Sequence, residues 1–286
     1  MSGSVGRGRA ALYVVLLAMV AFYLAPLEAG LVTAFKTETG FLRTTPFVPP
    51  LGPEQFTVGA WRTAVGRLRQ GLLNSVLMAV PATVLSALFG SLAAYGLTNL
   101  EWRGQIGVLV LFVAGVFLPY QSVLVPLTRF LSAVDLAGRI PLAVVGGNEG
   151  LIQLGITHAA YGVPICTVLF RSYYATLDEE MLEAARLDGA SAPTIYRRIV
   201  LPLSVPIFAV TLIYQFTNIW NDLLFALVLV NDPSNQVVTA ALNELQGSFV
   251  NQYNLQMAGA FIAALPTLVV YVLFGEQFAK GVAGET

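Results

Sequence analysis

Charge is scarce in this sequence. Lys, Arg, Asp and Glu make up 11% of the 286 residues, whereas a soluble domain carries about 25%. So few charges cannot cover a globular surface of this size, and with 56% apolar residues the missing polar surface points to lipid as the solvent. Cys166 is the single cysteine and His158 the single histidine, which excludes an internal disulfide, Cys/His metal clusters and most histidine relays. The lysines are Lys36, preceded by Phe35, and Lys280, preceded by Ala279. Neither fits the Gly-x-x-x-x-Gly-Lys-Ser/Thr loop that cradles nucleotide phosphates, so the chain has no ATP site of its own and is not an enzyme by itself. A net charge of −1 with no basic block excludes a nucleic-acid-binding surface.

Long apolar runs are plentiful. A helix needs about 20 mostly apolar residues to cross about 30 Å of hydrocarbon. Six stretches qualify: 10–27 extending to 34, 70–100, 104–128, 150–170, 199–221 and 245–275. Stretch 140–148 is too short. Continuous runs of this length do not suit alternating barrel strands, so the fold class is an all-α membrane protein of about six transmembrane helices. Pro26, Pro81, Pro119, Pro164, Pro206 and Pro266 lie in or near these runs, where proline is tolerated or kinks the helix. Arg7 and Arg9 precede the first run as in a signal peptide, but the run is long and lacks a small-residue cleavage site, so it reads as a retained span. The spacing also predicts a surface helix near 61–69, and Asn74–Ser75 as the start of the second span.

Orientation rests on loop arginines. Residues 171–201 hold four, Arg171, Arg186, Arg197 and Arg198, while 231–244 hold none. Positively charged loops stay inside, which places 171–201 and both termini in the cytoplasm of a multi-pass protein of the cell membrane.

The 171–201 segment is the most informative. Asp178, Glu179 and Glu180 suit a helix N-terminus. Leu177, Met181 and Ala185 recur at helical spacing, Asp188–Gly189 supplies a turn, and Pro193 fits the first turn of a second short helix. Two such helices cannot span, and Ala184, Ala185, Gly189 and Ala190 are small enough for another backbone to approach. Read in isolation, this segment is also consistent with an amphipathic helix lying on lipid.

The string EAARLDGA, followed by Ile199, Leu201 and Pro202, resembles the EAA motif of ABC-importer permeases. It matches at Glu183, Ala184, Ala185, Gly189, Ile199, Leu201 and Pro202, with Asp188 and Ala190 in the Asp-Gly-Ala variant. WRTAVGRLRQGLLNSVLMAV, NIWNDLLFALVLVND and MAGAFIAALPTLVVYVLF resemble the start of the core and the fifth and sixth spans of MalG-like carbohydrate permeases, from about Trp61 onward. The tail FAKGVAGET departs from that pattern, so no ATPase contact is assigned to it. The resemblance implies a division into 1–71, an N-terminal span with an outer loop, and 72–286, a five-helix permease core, with 173–202 as a cytoplasmic coupling segment. It implies a sugar importer whose partners are two ATPase subunits that bind ATP and Mg, a second permease chain, an extracytoplasmic solute-binding protein and membrane lipid. It also implies that the residues from Glu183 to Ala190 dock in a groove on the ATPase.

In the fifth run Thr211, Gln215, Asn218 and Asp222 recur at spacings of four, three and four, one helical face. A central acid facing lipid costs about 3 kcal/mol, so this stripe, flanked by Asn221 and Tyr214 and with Trp220 suited to a sugar face, reads either as the wall of a substrate path or as hydrogen bonding between helices, and Tyr120–Gln121 after Pro119 either line the path or fill a kink. His158 reads as a packed histidine and Cys166 as a small core residue. A permease of the same architecture for a polyamine or amino acid, and an ion-coupled transporter built on Asp222, remain open on the residues alone.

Overall fold

The computed structural model of the chain describes residues 2–134, 147–245 and 252–283. Most of the short apolar stretch 140–148 and the end of the C-terminal tail lie outside the described residues. Among the described residues the structure is helical, and the one β-bridge joins Lys36 to Phe56.

The chain forms two compact units, Met1–Arg69 with Ala241–Ala264, and Gln70–Ala240 with Leu265–Thr286. The first contains α1 (Ser2–Ala34), α2 (Glu38–Arg43) and the opening turns of α3 (Gly59–Thr98) and α13 (Tyr253–Ala283). Along α1 the large apolar side chains from Leu12 to Leu27 are exposed, a band that fits hydrocarbon and no aqueous surface. Beyond it the chain is tied down. The Lys36 side chain is fully buried and its Nζ donates to the carbonyl of Thr45 at 2.7 Å, while Asn254 Nδ2 donates to the Lys36 carbonyl at 2.9 Å. Thr37 caps α2 by accepting the Gly40 N–H. The rings of Phe35, Phe56 and Trp61 pack in a row. Residues 61–69, which the spacing predicts as a separate surface helix, are the first turns of α3.

The second unit carries the rest of α3, then α4 (Gln105–Val116), α5 (Tyr120–Val134) and α6 (Glu149–Tyr174). A short pair follows, α7 (Glu179–Leu187) and α8 (Ala192–Ile195); α8 runs through a π-helical turn at Tyr196–Val200 into α9 (Leu201–Leu203). After these come α10 (Val205–Trp220), α11 (Leu224–Leu229), a 3₁₀ turn at Pro233–Asn235 and the start of α12 (Val238–Glu244), whose residues from Ala241 onward belong to the first unit. α6 packs against α4, α10 and α11.

Four helices are single spans by length and composition. Two bent pairs pass the same test together, each a broken span or a re-entrant loop: α4 and α5 are bent by 105°, and the Ala192–Leu203 stretch and α10 by 76°. Of the prolines in or near the apolar runs, only Pro119 and Pro206 stand at these breaks. Pro119 follows Phe117–Leu118 and holds its predecessor out of the helical region. Pro206 lacks the N–H that would continue the helix across Ser204, whose hydroxyl turns back to the Val200 carbonyl. Pro26, Pro81, Pro164 and Pro266 lie inside continuous helices.

Asn74 and Ser75 do not start a helix. They are buried within α3 and anchor the loop before α12: Asn74 Nδ2 donates to the carbonyls of Ser234 and Gln236 at 2.9 and 2.8 Å, and Ser75 Oγ accepts the Val238 N–H at 2.8 Å. Buried polar groups need such partners, and these join positions some 160 residues apart.

Candidate functional site

Two places gather the candidate residues, both within the second unit. The first is the α7–α9 segment. Asp178 caps α7, its Oδ1 accepting the Glu180 N–H at 2.9 Å, and Glu179 and Glu180 fill the first turn, where the helix dipole favours them. The other end closes in a Schellman turn. The Ala190 N–H donates to the Ala185 carbonyl and the Gly189 N–H to the Arg186 carbonyl, both at 3.0 Å. Gly189 stands at φ +82° with open space where a Cβ would be, so glycine is needed there for backbone conformation, not for packing within the chain.

The anchors of this segment face inward. Leu182, Ile195, Tyr196 and Val200 join Ala94, Tyr95, Phe170 and Tyr174 of α3 and α6 in one apolar core, with Ala185, Ala190, Ile199 and Leu201 packed at its edge. Ser91 in α3 lies 2.6 Å from the Tyr174 hydroxyl and 2.7 Å from the Tyr196 hydroxyl, and Tyr95 donates to the Ala192 carbonyl at 3.0 Å. The opposite face is open. Glu183, Ala184, Leu187, Asp188, Gly189 and Pro202 are exposed, Leu187 by 88%. An exposed leucine, and an acid at the negative end of a helix, both gain nothing from water or dipole. Arg186 Nη2 donates to the Asn99 carbonyl at 2.9 Å, across a cleft of ≈ 520 Å³ between α7 and the α3–α4 turn.

The second place is polar and lies among the spans. A small cavity of ≈ 40 Å³ is lined by Tyr120 of α5, His158 and Tyr161 of α6, and Tyr214, Gln215 and Asn218 of α10. The predicted stripe on α10 is divided in the fold. Thr211 and Gln215 are buried, and Gln215 Nε2 reaches Ser86 Oγ at 3.4 Å. Gly162 makes room for that pair: a Cβ there would lie 2.0 Å from Gln215 Nε2 and 2.5 Å from Ser86 Oγ. Asn218 and Asn221 are exposed, and each donates to a carbonyl of its own helix, Tyr214 and Thr217. Trp220 is 2% exposed and stacks on Phe216 at 5.4 Å. Gln121 is exposed at the start of α5. Asp222 lies past the end of α10, and its Oδ2 stands 3.5 Å from His158 Nε2.

Sequence reasoning missed the second half of this cluster. His158, Tyr161 and Phe225 complete it, and Phe225 touches the rings of Tyr120, Tyr161 and His158 at centroid distances of 4.9, 5.6 and 5.6 Å. No local pattern marks these residues, because the cluster depends on how α5, α6 and α10 are rotated toward one another.

Residues 71–282 match the family described as binding-protein-dependent transport system inner membrane component. Over 287 aligned residues the chain is 48% identical to the xylose/arabinose import permease protein XacI of Haloferax volcanii, covering 97% of this chain and 93% of that one. It is 32% identical to the melibiose/raffinose/stachyose import permease protein MelC of Bacillus subtilis, over 78% of this chain and 77% of that one. Among solved structures, a chain of a bacterial ABC transporter involved in import of the acidic polysaccharide alginate has the same fold, with a TM-score of 0.74 at 18% identity over 97% of this chain and 99% of that one. The exposed, capped α7 thus sits in the part of the chain that the family match covers, and the chain belongs to the binding-protein-dependent inner-membrane components, the permease subunits of ABC importers.

Proposed function

We propose that this permease forms half of the translocation path for a neutral sugar and couples it to ATP hydrolysis on other subunits through α7. The observation that carries this reading is the division of α7 into two faces: Leu182 locks one into the core, while Glu183, Ala184, Leu187 and the Asp188–Gly189 turn stand outward, two acids beside small and apolar surface. That face suits a groove on a cytoplasmic ATPase, with Ile199, Leu201 and Pro202 carrying motion onward to α10. Two ATPase subunits holding ATP and Mg, a second permease chain and an extracytoplasmic solute-binding protein complete the assembly. Both termini and the 171–201 segment lie in the cytoplasm, as the four arginines of that segment favour.

The sugar assignment is supported by relatives named for xylose, arabinose, melibiose and raffinose, and by aromatic rings and amides around the cavity, which suit sugar faces and hydroxyls. Tyr120, Gln121, Gln215, Asn218 and Asn221 border the path, and Trp220 and Asp222 complete its wall from behind.

Ala184→Trp tests the docking face without backbone strain, because Ala184 is exposed in mid-helix. The expected result is loss of ATPase co-purification and of ATP-driven sugar uptake in proteoliposomes, with the variant still eluting as folded protein. Gly189→Trp has the same outcome, with a further conformational cost of about 1–2 kcal/mol at its positive φ. Uptake and ATPase binding intact in Ala184→Trp would overturn the coupling role.

A further inference from the structure

Three contacts meet on Asp222 in the break between α10 and α11. Its Oδ2 accepts the Phe225 N–H at 3.1 Å, which caps α11. Its backbone carbonyl accepts the Thr239 hydroxyl at 2.7 Å. The same Oδ2 lies 3.5 Å from His158 Nε2, with the two side chains only 6% and 5% exposed. His158 Nε2 has no hydrogen-bond partner among the described residues, so its attraction to Asp222 is electrostatic, and it grows when the imidazole is protonated in this low-dielectric surrounding. Phe225, held by the capped turn, is fully buried against Tyr120, Tyr161 and His158. The cavity behind it, ≈ 40 Å³, has room for about one water and none for a sugar.

We infer that His158 and Asp222 are a positioning pair: their attraction keeps α11 docked on α6, holds Phe225 as a plug beside the path, and must be released for the path to open. This rests on the transport reading above. Neither residue acts by touching the sugar. The titratable groups around the imidazole are Asp222 from the α10–α11 break, Tyr120 from α5, Tyr214 from α10 and Tyr161 from α6 itself. A protonated imidazole completes an ion pair with Asp222 and favours the docked state, whereas a neutral one loosens it. Acid therefore slows opening.

Two variants remove the charge and keep the shape. Asp222→Asn retains an oxygen able to cap α11, and His158→Gln retains a polar side chain of similar reach. In proteoliposomes carrying the full complex, the wild-type uptake rate at saturating sugar is expected to fall about tenfold per pH unit once the imidazole is mostly charged. Relative to that, both variants stay within about twofold over the same range, since they have lost the linked proton. A second readout needs no transport. In a Gln215→Cys background, where Cys166 is the only other thiol and is buried, Asp222→Asn raises labelling of the cavity cysteine by a small thiol reagent about tenfold at the acid end of that range. An acid slope unchanged in both variants, with unchanged labelling, overturns the pair. Faster labelling in an assembly that shows no ATP-driven uptake supports the pair and removes the transport reading.

Discussion

The α7–α9 segment and the polar cluster of α5, α6 and α10 solve opposite problems. The α7–α9 segment buries apolar anchors and leaves one face outside; the cluster buries His158 and Gln215 among aromatic rings, with Asn218 and Tyr214 at its open edge. The first is built from consecutive residues, each held by a cap or a turn. The second is assembled from three helices, and its cohesion depends on small residues at the crossings and on buried polar pairs. A contact surface for a partner tolerates exposure, whereas polar atoms among lipid-embedded helices require enclosure.

Substitutions at the two places should break that contrast in different ways. The largest effect is expected at the hidden anchor of the outer-facing helix. Leu182→Ala leaves a void in the core shared with Phe170 and Tyr196 and should cost about 2–5 kcal/mol, read as a lowered thermal midpoint together with lost coupling. A loss of uptake with no thermal shift would mean that Leu182 contacts a partner and not the core. Gly162→Ala comes next. Its methyl group would intrude on Gln215 and Ser86 and overpack the crossing by about 1–3 kcal/mol, and thermal unfolding of Gly162→Ala/Gln215→Ala should recover most of the loss. If the second substitution restores nothing, the crossing is not governed by that pair. The smallest effect is at the rim of the α7–α9 segment. Asp178→Ala removes the cap of α7 and should speed hydrogen exchange of the Glu179–Leu187 amides about fivefold, the equivalent of about 1 kcal/mol, with Asp178→Asn close to wild type. Equal exchange in all three proteins would show that core packing alone holds the helix.

The spans and the α7–α9 segment were legible because each is written in contiguous residues. Apolar runs set the membrane helices, Asp178 and Gly189 mark the two ends of α7, and Pro193 opens the next helix. What was not legible depends on how distant helices are turned toward each other. Pro119 and Pro206 stand at bends while Pro81 and Pro164 lie inside continuous helices, a difference that the prolines themselves do not mark. Asn74 looks like a helix start until the Ser234 and Gln236 carbonyls are seen at its amide. Thr211, Gln215, Asn218 and Asp222 share a face by spacing, yet α10 ends before Asp222, so the acid leaves the stripe and meets His158.

Ser91 has a mechanical consequence. One serine hydroxyl carries a single proton and two lone pairs, so it gives to at most one of Tyr174 and Tyr196 and accepts from the other or from both. Changing those directions requires only torsions about C–O bonds, with no heavy atom displaced. Under the proposed coupling role, a stroke arriving at Tyr196 would pass to α6 through a bearing that pivots while staying joined, and Tyr196→Phe would leave the axle in place with one spoke missing.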